Sequence, residues 1–325
     1  MTRRRRTRLA VALLLLAAAW SLPLPDAPAG DEATDLLAAA SVWRDRDFRY
    51  DERDLARGYR LWDGGPRGLT LVSLAQEPSP AEAGGDAGGA GPRGPWAFAR
   101  PVLYPILAAP FYGLAGPRGL RVLNMALFLV MVGAAAWRLR TPRGCEPPGG
   151  AAPGGGPFRG PGASLLLWSF FFASAAFAWT FRLSSEVLLM ASAFIALALW
   201  CRVRIEPAWG WRELLPIAVA GILVAAGATS EPALGLLGLP IAVDLLWSRR
   251  WKAIAAFLAA GLLAGGVLLG LQVRAADGWG PELERAVRTY AGPFPLEAVP
   301  AREAGPEPGV GAEAGEVPRR RSAPA

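Results

Sequence analysis

The sequence predicts an all-α membrane fold, with about seven transmembrane helices and a large first extracytoplasmic loop carrying juxtamembrane helices. Three observations lead there. Of 325 residues, 53% are hydrophobic and only 19% are charged. The apolar residues fall in long blocks, without the alternation of a half-buried strand or the heptads of a coiled coil. Finally, arginines flank those blocks rather than gathering beside aromatics on a polar face, so the net charge of +7 does not indicate a nucleic-acid partner.

Residues 1–8, MTRRRRTR, form a basic cytoplasmic terminus under the positive-inside rule. The block from Leu9 to Trp20, within residues 9–24, is then the first transmembrane helix and runs outward. A rival reading takes it as a cleavable signal peptide, because Ala27-Pro28-Ala29 is a small-x-small pattern ahead of Gly30. Arg3 to Arg6 also suggest, more weakly, a twin-arginine signal. Either way Asp31 emerges outside.

Residues 25–119 form the extracytoplasmic loop. After Gly30, helical spacing of Leu36, Leu37, Ala40 and Trp43 predicts an amphipathic helix lying on the membrane surface. A charged run from Arg44 to Arg60 follows, then a low-complexity stretch at 78–95. The segment from Trp96 to Leu114 is apolar enough to suggest a span, but it contains Pro101, Pro105 and Pro110. A proline in a helix interior costs roughly 3 kcal/mol, so the segment reads as juxtamembrane or re-entrant. Counting it as a span would also turn every later basic loop outward.

Residues 120–273 form the helix bundle. Its blocks run from Leu120 to Trp137, Ala163 to Phe181, Val187 to Cys201, Leu214 to Ala228, Ala233 to Trp247 and Ala253 to Val273. Arg138, Arg140, Arg143 and Arg159, then Arg202, Arg204 and Arg212, then Arg249, Arg250 and Lys252 place three loops inside. The turns at Arg182 to Glu186 and Ser230-Glu231 fall outside. So does the tail, 274–325, expected to be mostly disordered. The chain is therefore a multi-pass protein of the cell inner membrane, in contact with membrane lipid. Cys145 and Cys201 fall on the reducing side, with no disulfide framework.

Histidine is absent, which removes a Ser-His-Asp triad, a Cys-His pair and a His-ligated zinc site. Any general acid or base is therefore expected to be a carboxylate. The first candidates are Asp31 and Glu32, which open the loop in GDEATDLLAAASVWRDRDFRYDERD and could accept a proton or bind a divalent cation. Glu186 lies in the second outer turn. Each has a structural alternative: Asp31-Glu32 as the acidic start of a helix, and Glu186 as a helix start behind Ser184-Ser185 with an ion pair to Arg182. Asp244, inside an apolar run, is expected to pair locally with Arg249. Trp20, Trp137, Trp200 and Trp247 read as interfacial belts.

The acidic first-loop stretch resembles that of the GT-C superfamily of membrane glycosyltransferases, which includes protein O-mannosyltransferases and aminoarabinose transferases. RPVLYPILAAPFYGLAGPRGLRVLN, FRLSSEVLLMASAFIALAL and GILVAAGATSEPALGLLGLPIAV are similar to later stretches of that family, in order, over roughly residues 8 to 273. The resemblance implies an inverting transferase that moves a sugar from a polyprenyl-phosphate donor to an extracytoplasmic acceptor. Asp31 would be the base or metal-site carboxylate, Glu32 its partner and Glu186 the second-loop acid. Phosphate would need cationic partners, for which Arg100, Arg182 and Arg121 stand in place.

Relatives carry a basic residue near Glu231 and continue through several more spans, so a membrane-protein partner supplying further helices is expected. The alternative is a non-catalytic GT-C-like subunit that binds lipid or scaffolds a cell-envelope assembly. A transporter would require polar residues at mid-membrane depth, of which the spans have almost none.

Overall fold

A computed structural model describes residues 3–23, 26, 28, 31–74, 95–140, 169–205, 210–275, 287–290 and 294. Residues 78–94 of the low-complexity stretch, the loop at 141–162 with Cys145, and residues 298–325 fall outside them. The described chain is mostly helical. In order it comprises α1 (Arg3–Ser21), α2 (Glu32–Arg44), β1 (Arg49–Tyr50), α3 (Glu52–Leu61), β2 (Leu69–Ser73) and β3 (Trp96–Phe98). There follow α4 (Leu103–Ala115), α5 (Arg118–Arg140), α6 (Ala175–Trp179), α7 (Glu186–Ile205), α8 (Trp211–Ser230), a 3-10 turn (Pro232–Leu237), α9 (Gly238–Trp247), α10 (Trp251–Ala275) and β4 (Val287–Tyr290).

Among the described residues, four helices are long and apolar enough to cross a membrane: Arg118–Trp137, Glu186–Arg204, Glu213–Ser230 and Trp251–Ala275. The protein is accordingly a membrane protein with a predominantly helical fold. The remaining expected blocks form shorter or broken helices. Apolar residues of α1 run only from Ala10 to Ser21. The block from Ala233 to Trp247 divides into the 3-10 turn behind Pro232 and the ten-residue α9. In the block from Ala163 to Phe181, the described part is interrupted at Ser174, which is extended at φ −84° and ψ 157°.

Two layers organise the molecule. On one side lies the bundle: α8 packs between α7 and α10 through Ile217, Ala220, Phe257 and Ala253, while α9 adds Ile241 and Leu245. Close approach needs Gly221, because a Cβ there would lie 2.3 Å from the Phe257 carbonyl oxygen. On the other side is a cap built on α2. One face of α2 (Leu36, Ala40) packs on Tyr104, Ala108 and Tyr112 of α4, and the opposite face (Leu37, Ala38) packs on Leu69, Leu71 and Phe98 of a sheet.

That sheet is the main departure from the sequence reading. Four short strands pair antiparallel in the order β1-β3-β2-β4. Its last strand comes from the stretch expected to be tail: Thr289 pairs with Thr70 and Tyr290 with Leu69. Trp96 packs edge-on against Tyr290, and Tyr59 against Phe294. Because the sheet covers its second apolar face, α2 is buried from Glu32 to Ser41. It is not the membrane-surface helix expected from Leu36, Leu37, Ala40 and Trp43; only Trp43 keeps a large exposed apolar surface.

The proline-containing segment divides as its chemistry requires. Trp96–Phe98 is strand, Pro101 precedes the helix, and Pro105 sits in the first turn of α4 where an amide has no helical partner. Pro110 is tolerated inside the helix. At 13 residues α4 is too short to span.

Candidate functional site

The cap and the bundle meet where the first turn of α2 faces the turn that precedes α7. Asp31 occupies the N-cap position of α2, yet its side chain makes no capping hydrogen bond. One oxygen instead lies 3.0 Å from Arg100 Nη2, and the other accepts from the Thr70 hydroxyl at 3.1 Å. Asp31 and Glu32 do open a helix, as the structural alternative expects, but the Asp31 side chain turns away from the amides of that helix. Thr70 is itself fixed by its amide, which donates to Thr34 Oγ1 at 2.8 Å.

Glu32 points into the interface. Its Oε1 pairs with Arg182 Nε at 3.1 Å and lies 3.4 Å from the Leu183 amide that donates to it. Arg182 in turn lies over the Trp179 ring, 4.4 Å from its centroid, an arrangement that stabilises a guanidinium. The expected pairing of Arg182 with Glu186 does not form, because Glu32 holds the arginine from across the interface. Glu186 opens α7, with its Oε2 buried and without a hydrogen-bond partner.

Sequence reading missed Asp35. This residue is 1% exposed, accepts a hydrogen bond from the Ser185 amide at 2.9 Å and lies 3.4 Å from Arg100 Nε. Burial pushes its carboxyl up to about 7, opposed by Arg100 and reinforced by the nearby Glu186 charge. A helical signal for it was present: Asp31 and Asp35 are four residues apart, hence on one face. Asn124 was also missed. Fully buried in α5, it accepts from the Tyr104 hydroxyl at 3.1 Å and donates to the carbonyls of Arg182 at 2.9 Å and Ser184 at 3.1 Å. It thereby fixes the Arg182–Ser185 turn opposite α2.

Of the expected residues, Asp31, Glu32, Glu186, Arg100 and Arg182 belong to this cluster. Arg121 makes no ion pair or hydrogen bond with the cluster, although the Glu32 charge acts on it. Its Nη1 donates to the carbonyls of Leu22 at 3.0 Å and Pro23 at 2.7 Å, tying the end of α1 to α5. Asp244 pairs with Arg204 at 3.3 Å and accepts from Trp200 Nε1 at 2.9 Å, rather than pairing with Arg249. Its partners lie on the facing helix α7, which spacing along one chain segment cannot reveal.

A divalent cation, which Asp31 and Glu32 could bind, finds no larger ligand set around them. Among the described residues no group of three or more acidic or cysteine side chains could hold a metal ion. Between Asp31 and Asp35 the cation is the Arg100 guanidinium itself.

A separate groove of about 370 Å³ is lined by Arg49, Tyr50, Asp51, Glu52, Arg53, Pro95 and Trp96, none of which belongs to the cluster. Asp51 there caps α3, accepting from the Arg53 and Asp54 amides. Comparison with protein-family models, curated proteins and solved structures finds no match for the chain.

Proposed function

We propose that this protein is a multi-pass inner-membrane glycosyltransferase that transfers a sugar from a polyprenyl-phosphate donor to an extracytoplasmic acceptor. The observation that carries the reading is the orientation of Asp31. Its carboxylate turns from the amides of its own helix toward Arg100, and its side chain stays 40% exposed. Around it, acidic groups and two arginines are gathered at one end of long apolar helices, as a reaction between a lipid-linked phosphate and a polar acceptor requires.

In this reading the acceptor hydroxyl attacks the anomeric carbon of the sugar while the carbon–oxygen bond to the phosphate breaks, with inversion. Asp31 takes the hydroxyl proton as general base, and Glu32 and Glu186 set the field around it. Arg100 and Arg182 hold the departing phosphate, where preorganised cations stabilise developing charge. Arg182 is the more available of the two, with 38% of its side chain exposed.

A topology with the first loop and the tail on the outer face agrees with the sheet. Pairing of β2 with β4 puts those segments on one side, so an even number of crossings must separate them. Six spans after the first loop would satisfy this; the four long helices alone would not, because the starts of both α5 and α7 lie against the cap, through Asn124 and the Ser185 amide, so the chain has to return between them.

The non-catalytic alternative has its own support, since both oxygens of Asp31 already have partners. Membranes containing the protein, supplied with polyprenyl-phosphate-linked hexoses and pentoses, decide between the two. Asp31→Asn should reduce transfer at least a hundredfold. Undiminished transfer by that variant would sink the catalytic reading.

A further inference from the structure

Asp35 has more partners than a buried carboxylate needs for packing. It touches two other elements: Arg100, which follows β3, and the Ser185 amide at the start of α7. Arg100 is shared with Asp31, one turn earlier on the same face of α2. We propose that Asp35 is the positioning residue of this site: it holds Arg100 beside Asp31 and the Ser185 turn against α2, and on gaining a proton it releases Arg100 toward a phosphate monoester on a lipid. The second half rests on the phosphate-donor reading above; the first does not.

The geometry separates the two roles between two oxygens. Oδ2 accepts from the Ser185 amide, an interaction that needs only an acceptor, whereas Oδ1 faces Arg100 Nε and attracts it by charge. Losing the charge therefore weakens the hold on Arg100 and leaves the Ser185 bond in place. Arg100 Nε has no hydrogen-bond partner of good geometry, so Coulomb attraction holds that end of the guanidinium.

The charged and titratable groups facing Asp35 are Arg100, Glu186 at the start of α7, and Tyr104 from α4. Asp31 and Glu32 share its own helix turn. Burial together with the Glu186 charge brings its protonation to about pH 7, opposed by Arg100, so the exchange lies in a range the outer face of a cell can reach. A phosphate entering beside this cluster would find Arg100 held by two carboxylates at high pH and by one at low pH.

The first measurement needs no ligand: amide hydrogen exchange at residues 183–187 in the full-length protein in detergent. Asp35→Ala should speed exchange there at least tenfold, while Asp35→Asn, which keeps an acceptor oxygen, should remain within twofold of wild type. Equal protection in wild type and Asp35→Ala overturns the holding role. If Asp35→Ala does not fold, Ser185→Pro, which lacks the donated N–H, replaces it and should loosen the same segment.

The second measurement is binding of farnesyl phosphate at pH 6 and pH 8. The wild-type affinity ratio between the two pH values should exceed that of Asp35→Asn by threefold or more, and Arg100→Gln should abolish the excess. Identical ratios in wild type and Asp35→Asn overturn the release. Inorganic phosphate serves as competitor, and displacement at equal concentration would overturn the lipid-linked part of the assignment. Failure of wild type to bind farnesyl phosphate at either pH refutes the phosphate reading and the release with it. The exchange result still decides whether Asp35 holds the site together.

Discussion

Helices α2 and α10 are both rich in alanine and leucine, but they occupy opposite environments. The first is buried from Glu32 to Ser41 and carries two buried carboxylates, Glu32 and Asp35. The second is the least covered of the four long helices, with Leu262 76% and Leu263 71% exposed. In water such a surface would be an aggregation hazard, whereas in a bilayer it is solvated by lipid. In the cap, cohesion comes from packing and a connected polar network. The outer face of α10 is determined by its solvent.

Changing pH should separate the two regions most strongly. Burial raises Asp35 and Asp54 each from the ordinary 3.8 to about 7, with Arg100 and Arg57 opposing the rise. A folded-state value above the unfolded one makes a stabilising contribution that is complete below about pH 4 and is lost as pH rises through 7. A rise of that size corresponds to on the order of 4 kcal/mol for each group. Asp45, held low by Arg57, acts in the opposite sense at acid pH. Urea unfolding of the cap, followed by hydrogen exchange, should therefore show lower stability at pH 8 than at pH 5. The double variant Asp35→Asn, Asp54→Asn should flatten that dependence.

Leucine truncation is the next contrast. Leu37→Ala removes a fully buried side chain between α2 and the sheet and should cost about 3 kcal/mol. Leu262→Ala on α10 should change stability by less than about 0.5 kcal/mol. Equal losses, measured by denaturation in the same detergent, would show that α10 is covered in the working protein.

Asn124→Leu should follow, at about 2 kcal/mol, because it orphans the Tyr104 hydroxyl and the two carbonyls of the Arg182 turn. A thermal midpoint unchanged from wild type would mean that the network does not join cap to bundle. Within the cap the smallest effect belongs to Asp51→Ala. It opens the capping box of α3, in which Asp51 accepts from Asp54 N and Asp54 accepts from Asp51 N. It should cost about 1 kcal/mol, confined to the cap.

Much of the bundle was legible because a transmembrane helix is a local object. The apolar blocks from Leu120, Val187, Leu214 and Ala253 each reappear as a long helix, since length and hydropathy suffice to define one. Breaks at Ser174 and behind Pro232 were less visible, the first having no strong local signal. Of the site, Asp31, Glu32 and Arg182 could be chosen because they stand beside apolar blocks with little else to carry charge.

The sequence by itself determined that this is a membrane protein, that its chemistry cannot use histidine, and that acidic groups open its first loop. Those properties depend on composition and on neighbours along the chain. Only the tertiary structure decided that Asp31 turns to Arg100 and Thr70, that Glu32 holds Arg182, that Arg121 anchors α1, and that Asp35 joins three segments. It also decided that Val287–Tyr290 completes the sheet covering α2. Each of these joins residues distant in sequence, and short antiparallel strands gain stability from cross-strand partners more than from their own composition.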